Sequence, residues 1–347
     1  MMRNRKALPL AAAGAVVAMT LTACGGGIGS GDSSQVVFAT TGGTTTEALQ
    51  ASAYETLAES GIEVLEETPN DRAKLIAMTE SENPMWDVFH SAPYDTIEQC
   101  GVLYEEIDFD RIESDGVNLD SANKCGVPFL QSNFVLAYNA DTYGDNPPTG
   151  WEDYYDPEFP GERGIMNYPK DMGLETALLG AGVEPDDLYP IDYDKAFETL
   201  DGIRGNLHFF STGAEQQTAL ANGTVDMMLA WPTRLAGAQE KGPDIEVVWN
   251  QPIAYSDALG IVKGAPNQDA AYELINAILD ETSQAALAEV MPITPVNENV
   301  PTSDAPEIEE FLNTEEKSEG TTITRNDEWW GENRDEATER WTAWVNR

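Results

Sequence analysis

Apolar runs of strand length alternate along this chain with longer stretches whose apolar residues recur at helical spacing. Residues 36–40 (Val-Val-Phe-Ala-Thr) read as a strand and Gly42-Gly43 as a tight loop. Residues 44–60 read as a helix offering Ala48, Leu49, Ala51, Ala53, Leu57 and Ala58 for packing. Thr44 and Glu47 stand at capping-box spacing at its start. Residues 62–65 form the next strand, followed by a helix with Leu75, Ile76 and Met78 on one face and a strand at 86–90. Strand, helix, strand, helix, strand in that order calls for a parallel sheet covered on both faces. Residues 134–138 add a strand, after which Pro147-Pro148-Thr149-Gly150 opens a turn-rich segment.

A second unit of the same kind follows. Residues 207–210 lead through Ser211-Thr212-Gly213 into a helix, with Thr212 and Glu215 again at capping-box spacing and Asn222-Gly223 as its stop. The near-continuous apolar run at 225–231 has the character of a buried strand, and 245–249 is the next one. Two such units in series predict an α/β protein of two lobes, each a mostly parallel sheet flanked by helices, with a cleft between them. Open α/β sheets bind ligands at the carboxyl ends of their strands, which nominates Thr41 to Gly43, Ser91 to Tyr94, Trp231 to Arg234 and Tyr255 to Asp257. Near the C-terminus, the spacing of Trp341 and Trp344 within 335–345 predicts the buried face of a helix. Trp329-Trp330 lies just before it.

The first residues change the picture. Arg3-Asn4-Arg5-Lys6, an apolar run over 7–21 and then Leu21-Thr22-Ala23-Cys24 have the form of a lipoprotein signal peptide. Cleavage after residue 23 leaves Cys24 as a lipid-bearing first residue, here expected to carry palmitate or a similar acyl chain. An uncleaved anchor is the alternative, but Pro9 and Gly14 interrupt the run and it falls short of the ~20 residues a span requires. Residues 24–34 are rich in Gly and Ser and read as a tether between membrane and folded protein. About 320 residues then remain, enough for two lobes with cores of their own. Formal charge is −42 and becomes three units more negative once the basic signal is removed, which excludes nucleic acid as a natural partner. Of three cysteines, Cys100 and Cys125 are left as a pair in an oxidising location, and a disulfide is expected. No CxxC pair or neighbouring histidine favours a metal or a catalytic thiol instead.

The stretch from Gly150 to Gly161, Gly-Trp-Glu-Asp-Tyr-Tyr-Asp-Pro-Glu-Phe-Pro-Gly, resembles the solute-binding components of ABC importers. It is most similar to the spermidine/putrescine-binding group, whose members carry Trp-x-Asp-hydrophobic-x-Asp-Pro-x-hydrophobic-x-Gly here. Trp86-Asp87-Val88, Ala221-Asn222-Gly223-Thr224-Val225-Asp226, Ala230-Trp231 and Lys263-Gly264-Ala265-Pro266-Asn267 agree with the group in the same order. The resemblance implies a type II periplasmic-binding-protein clamshell whose chain crosses between lobes. Lobe 1 is expected at 35–133 and 256–299, and lobe 2 at 134–255 and 300–347. It further implies a monomeric carrier without catalysis, cofactor or metal, tied to the membrane by its lipid and handing a small solute to the transmembrane subunits of a permease.

By the same resemblance, Asp257 in Tyr255-Ser256-Asp257 takes the place of an aspartate that binds a ligand amine, with Tyr255 and Trp231 as aromatic neighbours of the cation. A turn role for Asp257 and a core role for Trp231 stay open. Arg234, three residues beyond Trp231, is suited to a carboxylate rather than to a polyamine, although a surface ion pair is the alternative. Where the polyamine binders carry further acids, this chain reads Asn167-Tyr168-Pro169-Lys170-Asp171-Met172-Gly173, and Asp171 is the one acid kept. These departures favour an ω-amino acid such as γ-aminobutyrate over a polyamine. Gly43 and Thr44 offer a helix N-terminus, and Ser91 and Tyr94 offer hydroxyls, each with a plain structural alternative as turn, cap or packed ring. Two rival readings remain. One is a ferric-iron carrier of the same fold, for which Tyr154-Tyr155 supplies tyrosines away from the strand ends. The other is an extracellular hydrolase, for which the chain has only His90 and His208 and no Gly-x-Ser-x-Gly.

Overall fold

The apolar runs become ten strands of one sheet in a computed structural model, which describes residues 34–239, 242–314, 316–318 and 320–347. The signal peptide, Cys24 and all of the tether except Ser34 lie outside the described residues. In chain order the strands are β1 (Ser34–Ala39), β2 (Ile62–Glu67), β3 (Val88–Ser91), β4 (Val127–Asn139), β5 (Arg163–Met166), β6 (Leu207–Phe210), β7 (Met227–Ala230), β8 (Ile245–Ile261), β9 (Thr294–Pro295) and β10 (Ile323–Thr324). Across the sheet they run β2-β1-β3-β8-β4-β7-β5-β6, with β9 paired to β4 and β10 to β8.

The outer pairs β1/β2, β1/β3, β5/β6 and β5/β7 are parallel. The centre is antiparallel, because β4 and β8 are long strands that pair with each other over most of their length and join the two parallel groups. Residues 245–249 and Tyr255 to Asp257 are therefore parts of one strand of 17 residues. Each half carries its own core. One packs Phe38, Leu75, Val88, Phe129, Leu259, Ile275 and Leu287. In the other half, alternate residues of β4 sort to opposite faces. Phe134 and Leu136 join Tyr154, Leu178 and Trp341, while Val135 and Ala137 join Met228, Leu235 and Phe311.

Local chemistry decides where the helices begin. At Thr212 the capping box forms, the Thr212 hydroxyl accepting from the Glu215 N–H at 3.2 Å and Glu215 accepting from the Thr212 N–H at 3.3 Å. At Thr44 it does not. Gly43, with φ 69°, takes the cap position, so Thr44 enters the helix and the box spacing is out of register. The helix expected over 44–60 is broken into Thr44–Gln50 and Ala53–Glu59, with the Ser52 hydroxyl turned back onto the Ala48 carbonyl at 2.8 Å.

The Gly150 to Gly161 stretch contains a short helix, Trp151–Tyr155, rather than turns alone. Arg163, almost wholly buried, donates to the carbonyls of Tyr154 at 3.1 Å, Asp156 at 3.0 Å and Phe159 at 2.5 Å, and so gathers the loop that follows the helix. The terminal helix runs Asp327–Val345 and so takes in Trp329 and Trp330 as well. Trp330, Trp341 and Trp344 are buried, and their indole N–H groups donate to Glu175, Asn167 and Asp201. Cys100 and Cys125 form the expected disulfide.

Candidate functional site

The carboxyl ends of β3, β5 and β7 and the middle of β8 deliver polar and aromatic side chains to the junction of the two halves. Asp257 sits in β8 opposite Leu130 of β4, with its side chain about a quarter exposed. Its Oδ2 lies 3.0 Å from Nε2 of His90, the penultimate residue of β3. His90 is buried edge-on to Phe129, ring centroids 4.8 Å apart, and its Nδ1 has no partner among the described residues.

Aromatic rings line one side. Tyr255 packs on Phe134 at 4.7 Å, and Trp231, half-buried just after β7, packs on the same ring at 5.9 Å. Tyr94 projects from the helix Pro93–Glu98, which follows β3. Burial pushes the phenols of Tyr94 and Tyr255 above their ordinary pKa, so both stay protonated and available as donors.

One residue here was not singled out from the sequence. Arg325 follows β10, and its guanidinium lies over two rings, 5.0 Å from the Tyr94 centroid and 5.5 Å from that of Tyr255. It is 5% exposed. Nε donates to Asp327 at 2.6 Å and Nη2 to the Ser256 carbonyl at 3.3 Å. Burial works against its charge, and Asp327, Tyr94 and Asp257 together more than restore it. Close to Tyr94, the short turn Pro169–Asp171 after β5 presents Lys170 and Asp171. The Lys170 ammonium donates to Asp171 Oδ1 at 3.0 Å, while Asp171 Oδ2 is buried without a partner among the described residues.

The other expected residues are placed differently. Arg234 is exposed and lies against Gly213, and no ion pair joins it to Asp257 among the described residues. Gly43 and Thr44 are exposed beyond the end of β1. The Ser91 hydroxyl donates to Asp95 at 3.0 Å and accepts from Tyr104 at 3.1 Å, so it is already engaged. Tyr154 and Tyr155 are buried, their hydroxyls bonded to Gly164 and Thr176, and burial raises both phenols. That works against tyrosinate ligation of iron. Among the described residues no group of three or more His, Cys, Asp or Glu is placed to hold a metal. His208 pairs on the surface with Glu162 at 2.7 Å.

Comparison with known proteins agrees with this architecture. The family described as bacterial extracellular solute-binding protein matches residues 50–311. A gamma-aminobutyric acid-binding protein of Pseudomonas aeruginosa is 29% identical over 316 residues, covering 88% of this chain and 89% of its own. A spermidine/putrescine-binding periplasmic protein of Haemophilus influenzae is 25% identical over 243 residues, 66% of this chain and 67% of its own. Among solved structures, the Atu4243 GABA receptor superposes with a TM-score of 0.80 at 31% identity, covering 89% of this chain and 97% of the receptor. A sheet assembled around two shared strands, a polar junction between two cores and a family match over most of the chain lead to one conclusion: the chain belongs to the bacterial extracellular solute-binding proteins.

Proposed function

We propose that this protein captures a small ω-amino acid, of the γ-aminobutyrate class, at the junction of its two halves and delivers it to an ABC permease. The observation that carries the reading is Asp257, a partly buried carboxylate whose one bonded partner among the described residues is His90, beside the Tyr255 and Phe134 rings. A ligand ammonium there gains a charge-assisted bond and an aromatic neighbour. The relatives named for γ-aminobutyrate and polyamines support an amine-bearing ligand. Tyr94, Trp231, Asp171 and Ser91 line or support the pocket in this reading, with Gly43 and Thr44 at its rim. Capture favours the closed arrangement of the halves by the contacts made only there. The protein works as a monomeric carrier without catalysis, lobe 1 and lobe 2 divided as expected from the sequence. Cleavage before Cys24 and acylation of that residue hold it outside the cell membrane.

Calorimetric titration of the soluble protein with γ-aminobutyrate, then putrescine and spermidine, tests the ligand. Tight binding of the amino acid, lost in Asp257→Ala, is the expected result; preference for a polyamine overturns the amino-acid reading in favour of the second amine class. Cys24→Ala is expected to move the protein from the membrane fraction to the soluble one, and retention on the membrane would refute the lipid anchor.

A further inference from the structure

We propose that the terminal helix Asp327–Val345 straps the two halves together through an ion-pair node at Asp95, and so holds them in the arrangement seen here without touching a ligand. The inference does not depend on which solute is carried.

The helix Pro93–Glu98 is gripped from both sides. Toward the first half, whose core contains Phe38 and Leu75, Asp95 Oδ2 accepts from the Tyr104 hydroxyl at 2.5 Å and from Ser91 at 3.0 Å. Asp95 Oδ1 accepts from Arg72 Nε at 2.7 Å, and Arg72 opens the helix Arg72–Glu80 that carries Leu75. Asn123 fastens the next residue, donating to the Thr96 hydroxyl at 2.9 Å. Toward the second half, Arg334 of the terminal helix spans two acids. Its Nη1 donates to the same Asp95 oxygen at 2.7 Å, and its Nη2 lies 2.6 Å from Glu98. Gly331, about one turn earlier, lets the two helices meet, since a methyl there would come within 3.0 Å of Ile97 and 3.2 Å of the Tyr94 carbonyl. Trp330, Trp341 and Trp344 root the same helix in the second core.

Asp95 is 4% exposed. Burial works against its charge, and Arg72, Tyr104 and Arg334 outweigh it, so the carboxyl titrates below its ordinary value. Parting the halves at this helix takes Arg334 away from both acids and leaves Asp95 with the partners of the first half alone. Breaking a buried pair in this way is costly, and the cost restores the arrangement seen here. Tyr94, whose ring lies under the Arg325 guanidinium, and Asp95 are consecutive residues of one helix, so the strap and the junction move together. Arg340 serves as the contrast. It pairs with Glu336 on its own helix and lies over the Tyr193 ring, both within the second half.

The test measures distances between the halves in the full chain without ligand. Nitroxides are attached through keto amino acids, which spare the native disulfide, at the exposed positions Glu55 and Glu198 on helices of the first and second cores. Pulsed electron resonance then compares wild type, Arg334→Met, Glu98→Gln and Arg340→Met. Wild type is expected to give one narrow distribution. In Arg334→Met the ratio of longer to wild-type distances is expected to rise roughly tenfold, and in Glu98→Gln to rise less in the same direction. Arg340→Met should match wild type, and a label pair within the second half, at Asp141 and Glu198, should not move in any variant. An unchanged ratio in Arg334→Met, an equal rise in Arg340→Met, or a wild type already as broad as Arg334→Met would overturn the proposal. So would movement of the pair within the second half, which means that this half has loosened internally. If Arg334→Met does not fold, Glu98→Gln decides, and the absence of any rise there overturns the strap.

Discussion

Glu175 is a fully buried carboxyl in the helix Gly173–Gly180, and it makes stability depend on pH in a predictable direction. Oε1 accepts from the Tyr189 hydroxyl and the Trp330 indole, each at 2.7 Å, while Oε2 has no partner among the described residues. Burial pushes its pKa from 4.5 up to about 7, against the lowering effect of those hydrogen bonds. Between these values the folded protein keeps a proton that the unfolded chain has released. The contribution of this group is therefore most favourable in acid and declines as pH rises through the window. A displacement of that size corresponds to about 3 kcal/mol.

Glu175→Gln keeps the acceptor for Tyr189 and Trp330 and removes the charge. The new amide nitrogen has no partner, at a cost of about 1–3 kcal/mol, but that cost is the same at every pH. The difference between variant and wild type should thus be about 3 kcal/mol more favourable to the variant at pH 8 than at pH 4.5. Urea unfolding followed by circular dichroism at the two pH values, with linear extrapolation, measures it. A variant whose difference from wild type is the same at both pH values would refute the argument, because it would mean that Glu175 is not held protonated by burial.

Two further expectations concern the scaffold. Replacing both Cys100 and Cys125 by serine should lower stability by about 3 kcal/mol, from reopening a loop of sequence separation 25, and reductant should bring wild type down to the variant while leaving the variant unmoved. Gly173→Ala should cost about 1–3 kcal/mol, since the added methyl meets Trp341 at 2.8 Å and Ile165 at 2.9 Å; an unchanged thermal midpoint would show that the Trp341 ring yields freely.

Strands were the most legible part of this chain, because period and apolar run length act locally. Phe134 and Val135 fall on opposite faces as alternation requires. Helix starts were legible only where no glycine competed. Thr212 caps as its spacing predicts, whereas Gly43 displaces Thr44 by reaching a backbone conformation closed to most residues. At the junction, Asp257 stood out through its neighbours in sequence. Its bond to His90, 167 positions away, could not be read, since nothing in either local pattern encodes which strands become adjacent. Arg325 was hidden for the same reason more strongly. It follows a strand of only two residues, and its surroundings come from Tyr94 and from Tyr255 on different elements. Arg234 drew notice by lying close to Trp231 in the chain; it stands in the helix Pro232–Gln239, exposed against Gly213.

The sharing of β4 and β8 has an evolutionary consequence. Neither half possesses a sheet of its own, so neither can be excised, duplicated or exchanged as an independent cassette without tearing two strands from the other. Divergence is left with the margins. β2 and β6 form the outer edges, and β2 carries Glu63, Glu66 and Glu67, charges that discourage another chain from adding itself there. New elements can be appended at those margins while the centre, where β4 and β8 join the two halves, is inherited whole.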